Sequence, residues 1–176
     1  MEIFGLAGSE GRRMLMVRLV PELTGRGLAV SAMQQAGRDF DIDRPGKDSY
    51  LHRAAGAREV MATSARRWTL MHEHHDGSAL AIDDLIPHLT PVDLLLVEGF
   101  DDHPHDKLAV HRAAGGGPLP RGDDPFIVAV ASDEPLSEAG LPVFDLEDVP
   151  AIAEFIIGHC RLKAAGQGRD KERSES

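Results

Sequence analysis

Cysteine is nearly absent: Cys160 stands alone among 176 residues. A single thiol excludes an intramolecular disulfide and agrees with a reducing compartment. Long apolar runs are missing as well. No stretch approaches the roughly 18 uninterrupted apolar residues that read as a transmembrane helix. The first residues carry neither the basic stretch nor the apolar segment of a signal peptide, so the expectation is a cytoplasmic protein. Positive charge is scarce. Nineteen lysines and arginines face 29 aspartates and glutamates, for a net charge of −10. That balance argues against nucleic acid or an anionic membrane as partner, because phosphate-rich surfaces attract positive ones. No internal repeat is evident.

What is present suits one domain with a substantial core: 176 residues, 42% of them hydrophobic. Four runs read as strands, at 3–7, 28–33, 92–97 and 126–131. They are nearly continuous rather than alternating, which predicts burial on both faces. Weaker strand candidates are "REVMATS", "RWTLMHEH", "KLAVHR" and "LPVFDL". Helical patterns lie between them at 14–23, 49–57, 82–89 and 149–161. Pro21 is expected to end or kink the first. Asp148 reads as the N-cap of the last, with Pro150 in its first turn. Strands alternating with helices predict a parallel, helix-covered sheet. "AAGGGPLPRGDDP" reads as a loop. From Ala164 the chain turns polar and charged, which predicts a disordered tail over 164–176 behind a single domain over 1–163.

The segment "GLAGSEGRRM" follows the first strand and opens the first helix. Strand, glycine-rich turn and helix is the layout of a P-loop, in which backbone N–H groups and a helix N-terminus surround phosphates. The pattern G-x-x-x-x-G-K-[ST] is not met. With Gly11 as its last glycine, Arg12 takes the lysine place, Arg13 the hydroxyl place, and Leu6 stands where the first glycine belongs. Gly8, Ser9 and Gly11 still offer N–H groups, but Glu10 adds a carboxylate. Guanidinium has no acceptor, so Arg13 cannot ligate Mg²⁺. An ordinary glycine-rich turn is the simpler alternative.

Four further places draw attention. "VDLLLVEGF" is a buried strand ending in Glu98 and Gly99, at the sheet edge where α/β folds bind ligands. Glu98 there is a candidate Mg²⁺ or water ligand, or merely an acid leaving the sheet. "DIDRPGKDSY" holds a Pro45-Gly46 turn, with Asp48 or Ser49 as helix cap and Lys47 as a cation that a phosphate would meet. The histidines His72, His74, His103 and His105 make zinc conceivable, against the plainer reading of solvated surface residues. Asp133 ends "FIVAVASD" as either a guanine-edge acceptor or a loop cap.

Together these segments resemble the molybdopterin-guanine dinucleotide biosynthesis protein B (MobB) family. The resemblance is carried by "DIDRPGKDSYLHRAAGAREVMATSARRWTLM" (41–71), "LLLVEGF", "KLAVHR", "VAVASDEPL" and "RLVPELTGRGLAVSAM". It spans nearly the whole chain to about Cys160. It implies a P-loop NTPase-like three-layer α/β fold with a mainly parallel central sheet and added antiparallel strands. It also implies a GTP- and Mg²⁺-binding accessory to attachment of GMP to molybdopterin, with dimeric assembly. The implied partners are the molybdenum cofactor guanylyltransferase or a molybdoenzyme maturation protein. The implied ligands are GTP with Mg²⁺, and molybdopterin or its guanine dinucleotide.

The chain departs from the family where phosphates would lie. The family's Gly-Lys-Thr-Thr is here Gly11-Arg12-Arg13-Met14. Its His-Thr-His-His-Asp is Gln35-Ala36-Gly37-Arg38-Asp39, and Asp101 replaces a lysine after Glu98-Gly99-Phe100. Hydrolysis of GTP rests on the P-loop lysine and Mg²⁺. The expectation is therefore an adaptor or carrier with a degenerate phosphate site, in which Arg12, Arg13 and Arg38 still suit a phosphate fork. The alternatives are an active GTPase with Mg²⁺ held by Glu98 and Asp39, or a scaffold or metal-binding module of different function.

Overall fold

The computed structural model of the chain describes residues 1–8, 11–37, 40–73, 80–115, 124–136 and 140–163. The tail expected from 164 onward lies outside them, as do Ser9, Glu10, Arg38, Asp39 and His74. In chain order the elements are β1 (Glu2–Ala7), α1 (Arg12–Gly25), β2 (Val30–Gln34), α2 (Asp48–Ala54), β3 (Glu59–Thr63) and β4 (Trp68–His72). There follow α3 (Ile82–Leu85), running on into a 3₁₀ turn (Ile86–His88), then β5 (Leu94–Glu98), β6 (Lys107–His111), β7 (Ile127–Ser132), β8 (Val143–Asp145) and α4 (Val149–His159). All four weaker strand candidates are strands.

Contacts divide the chain into two compact units, Met1–Gln35 with the residues from Ala81 onward, and Ala36–Leu80. The larger unit holds a six-stranded sheet in the order β2-β5-β1-β6-β7-β8. Every pairing in it is parallel. Side chains alternate between its faces. Phe4, Leu6, Leu94 and Leu96 meet Leu15, Leu19 and Leu23 of α1 and Ile152 and Ile156 of α4 on one side. Leu95 and Val97 meet Ile82, with Ile86 and Leu89 packed alongside, on the other. Leu94 to Val97 are fully buried, and each such side chain contributes about 1.5–3 kcal/mol relative to exposure. The run at 28–33 does not follow the same rule. β2 sits at the sheet edge and is only half buried, because β5 alone flanks it.

Pro21 does not end α1. The helix continues to Gly25 with Pro21 exposed on its surface. Leu15, Leu19 and Leu23 are buried on both sides of the proline, so packing outweighs the one backbone hydrogen bond that proline removes. Asp148 does cap α4, its Oδ1 accepting from Ala151 N at 3.1 Å.

The smaller unit pairs β3 and β4 antiparallel, with α2 against β3. Neither Asp48 nor Ser49 caps α2. Lys47 holds the cap position without a side-chain bond, and Ser49 Oγ instead donates to Asp43 Oδ1 at 3.0 Å. Arg53 gathers the same segment, donating to Asp41 Oδ2 at 2.8 Å and Glu73 Oε1 at 2.7 Å. Among the described residues, no helix is long and apolar enough to cross a membrane.

Candidate functional site

The carboxyl ends of β1, β5, β6 and β7 share one edge of the parallel sheet, and the glycine-rich turn joins β1 to α1 there. Gly8 and Gly11 both take left-handed backbone conformations, with φ of +105° and +89°. A Cβ at Gly8 would stand 2.4 Å from the Val110 carbonyl oxygen of β6. A Cβ at Gly11 would stand 2.7 Å from Arg112 Nε. Both glycines are required by conformation, and Gly8 also by the backbone beside it. Gly11 is also the N-cap of α1 and offers no side-chain acceptor, and no acid lies in the first turn. Among the described residues, no side chain caps the opening N–H groups of the helix.

Register places the acid. Glu98 is opposite Leu6 of β1 and Gln34 of β2. It is a buried carboxylate, 8% exposed, and a buried charge needs a partner. That partner is Arg12: its Nε donates to Glu98 Oε1 at 3.1 Å. The residue in the lysine place is thus committed to the acid at the end of β5. Arg13 and Met14 turn outward, and Met14 is 55% exposed. Gly99, buried and left-handed, carries the chain into Phe100, a non-glycine residue with φ of +56°. Gln35 clamps this corner, its N–H donating to Glu98 O at 2.8 Å and its Oε1 accepting from Phe100 N at 2.9 Å.

Among the described residues these side chains suit Mg²⁺ poorly; the expected second ligand, Asp39, lies outside them. A hard cation needs oxygen donors. The hydroxyl place is a guanidinium, and a Glu98 oxygen already accepts from Arg12. An anion suits them better, since guanidinium groups and free helix N–H groups are donors only.

The remaining expected residues fall as follows. Asp133 Oδ1 accepts from Ala113 N at 2.8 Å, the loop-cap arrangement. Lys47 is exposed, and both it and Asp48 belong to the smaller unit. Ser9, Glu10 and Asp39 lie outside the described residues. His103 and His105 do meet, Nδ1 to Nδ1 at 3.0 Å. Yet among the described residues no three histidine, cysteine or acidic side chains converge as metal ligands. Their neighbour is a buried cation. Lys107 Nζ donates to the carbonyls of Asp101 and His103 and to Asp124 Oδ2, all within 3.1 Å. Burial first, then the charges of Lys107 and His103, pull the His105 pKa down to about 4.

Sequence reasoning missed Arg112. The last residue of "KLAVHR" lies against Gly11, with Asp133 Oδ2 and Glu147 Oε1 each 3.9 Å away. The sequence signal was a basic residue just past a strand that ends at the carboxyl edge of the sheet.

Comparison with known proteins gives consistent results. The family described as "Molybdopterin guanine dinucleotide synthesis protein B" (MobB) matches residues 1–133. The chain is 35% identical over 157 residues to the molybdopterin-guanine dinucleotide biosynthesis adapter protein of Escherichia coli (strain K12), covering 88% of this chain and 89% of that protein. It is 35% identical over 156 residues to the protein of the same name from Haemophilus influenzae (strain ATCC 51907 / DSM 11121 / KW20 / Rd), covering 88% and 85%. A crystal structure of molybdopterin-guanine biosynthesis protein B superposes with a TM-score of 0.71 at 26% identity, covering 90% of this chain and 99% of that one.

Proposed function

Because this chain belongs to the MobB family, we propose that it serves molybdopterin-guanine dinucleotide synthesis as an adapter, with a phosphate-binding edge that does not hydrolyse GTP. The pathway assignment leans on relatives named as adapter proteins of that synthesis. The observation that carries the non-hydrolytic part is the Arg12–Glu98 pair. Phosphoryl transfer draws its rate from a P-loop cation on the outer phosphates and a metal bridging them. Here the cation is spent on the acid that would otherwise face the metal. What is left is a surface that holds an anionic group, in a guanylyltransferase partner or a pterin dinucleotide, without turning it over.

The protein works in the cytoplasm as a homodimer. Support for self-association comes from β3 and β4, where Met61 is paired with Leu70 and Thr63 with Trp68 on one face of the hairpin. Met61, Trp68 and Leu70 are 64%, 62% and 38% exposed there. An apolar face of that kind marks an interaction surface.

Two measurements test the reading. The purified chain, immobilised, should retain the guanylyltransferase of the pathway, and it should release no phosphate from GTP with Mg²⁺ above the buffer rate. Mg²⁺-dependent release that disappears in Glu98→Gln would replace the adapter with a working GTPase. Sedimentation of Met61→Glu/Leu70→Glu should yield a monomer where the unmodified chain is a dimer.

A further inference from the structure

We propose that Arg112, rather than Arg12, receives the phosphates of a diphosphate group beside Gly11 at the start of α1, in a site that uses no divalent metal. This rests on the phosphate-binding edge proposed above and names the residue that makes it work.

Three observations converge on Arg112. The first is position. Its Nε lies so close to Gly11 that a Cβ there would approach to 2.7 Å. A Cβ at Gly11 would push this flexible side chain aside, so the glycine lets the guanidinium lie against the helix cap. The second is its unspent donors. Arg112 makes no hydrogen bond with any described residue. Its two acidic neighbours stand at 3.9 Å, beyond hydrogen-bond range. The other oxygen of each is bonded elsewhere: Glu147 Oε2 accepts from Arg18 Nη1 at 2.7 Å, and Asp133 Oδ1 accepts from Ala113 N at 2.8 Å. The acids aim the guanidinium without consuming it, and its side chain stays 35% exposed. The third is which guanidinium groups remain. Arg12 with Glu98 and Arg18 with Glu147 are closed pairs, whereas Arg112 and the exposed Arg13 make no hydrogen bond with a described residue.

A guanidinium presents five N–H donors in a fixed fork that matches two oxygens of a phosphate. Set beside the open N–H groups of a helix of 14 residues, it meets a diphosphate with donors on two sides. The Mg²⁺ that usually neutralises such a group finds no ligand set among the described residues, so the arginine supplies the counter-charge. The chemistry is that of a diphosphate, free or esterified.

Titration calorimetry of the full chain in EDTA, with inorganic pyrophosphate as the probe, tests this. Arg112→Gln should weaken binding at least tenfold, and Arg112→Lys should fall between. The double variant Arg12→Met/Glu98→Met removes the closed pair without changing net charge and should lose less affinity than Arg112→Gln does. Far-ultraviolet circular dichroism of each variant separates loss of binding from loss of fold. GTP titrated in parallel identifies the source. Tighter binding than pyrophosphate with the same Arg112 dependence points to a nucleotide or dinucleotide, and equal affinity points to the bare diphosphate. The proposal is overturned if Arg112→Gln binds as tightly as the unmodified chain, if the double variant alone abolishes binding, or if folded unmodified protein takes up no pyrophosphate. None of these outcomes touches guanylyltransferase retention, so the adapter reading fails or survives separately.

Discussion

Arg12, the first residue of α1, donates from Nε to Oε1 of Glu98, the last residue of β5, at 3.1 Å. The contact spans 86 positions of sequence and exists because β5 lies beside β1 in register. The two members differ in exposure, the side chains being 26% and 10% accessible. Removing either should therefore have unequal consequences. Arg12→Met strands a buried carboxylate, whereas Glu98→Met leaves a guanidinium able to turn toward water. In urea denaturation, Arg12→Met should cost about 2–4 kcal/mol and Glu98→Met about 1–2 kcal/mol. The double variant should cost less than the sum, by about 1–2 kcal/mol. A coupling indistinguishable from zero would mean that the pair does not form in solution.

The two glycines Gly8 and Gly158 should respond to alanine with opposite signs. Gly8 combines a φ of +105° with a backbone oxygen 2.4 Å from any Cβ, and backbone cannot move aside as a flexible side chain can. Gly8→Ala should destabilise by about 2–4 kcal/mol. Gly158 lies within α4 and has nothing within 4 Å of its Cβ position. Gly158→Ala should stabilise by about 0.5–1 kcal/mol through helix propensity. Thermal melts of both variants decide the matter. A neutral Gly8→Ala would show that the turn rearranges freely.

Much of the architecture could be read locally. The apolar runs of β1, β5 and β7 are strands because burial on both faces demands such runs, and Asp148 caps α4 through a bond three residues away. Reading failed where a distant neighbour decides. β2 carries an apolar run yet sits at an edge, which only sheet order determines. Pro21 sits inside a helix because Leu19 and Leu23 pack against the core. Ser49 prefers Asp43 to the helix end. At the candidate site, Gly8, Gly11, Arg12 and Glu98 were recognisable from residue type and strand ends. The commitment of Arg12 to Glu98 was not, nor was the placement of Arg112 on Gly11, because both depend on strand register.

His105 makes stability depend on pH in a defined window. It is buried, its Nε2 has no hydrogen-bond partner among the described residues, and its pKa is held down to about 4. Unfolded, the same imidazole titrates near 6.5. Between these values the unfolded chain binds a proton that the folded chain refuses. Stability is therefore complete above about pH 6.5 and lost as pH falls toward 4, with a slope of up to about 1.4 kcal/mol per pH unit. Melting temperature measured from pH 7 to 4.5 should drop more steeply for the unmodified chain than for His105→Gln. Parallel curves would remove His105 as the cause.

Cys160 should be a slow thiol. It packs against the core beside α4. Burial first, then the charges of Glu2 and Asp106, push its pKa up to about 12. The thiolate is the nucleophile, so at pH 8 only about one thiol in ten thousand is reactive in the fold, against roughly a quarter in an unfolded chain. Reaction with an aromatic disulfide reagent should be at least a hundredfold slower in native buffer than in urea. The pH dependence separates a raised pKa from simple blockage. If the thiol titrates near 12, the native rate climbs about tenfold per pH unit from 8 to 11, while the rate in urea levels off above pH 9. A native rate that levels off as early as the unfolded one would show an ordinary thiol that is merely hard to reach.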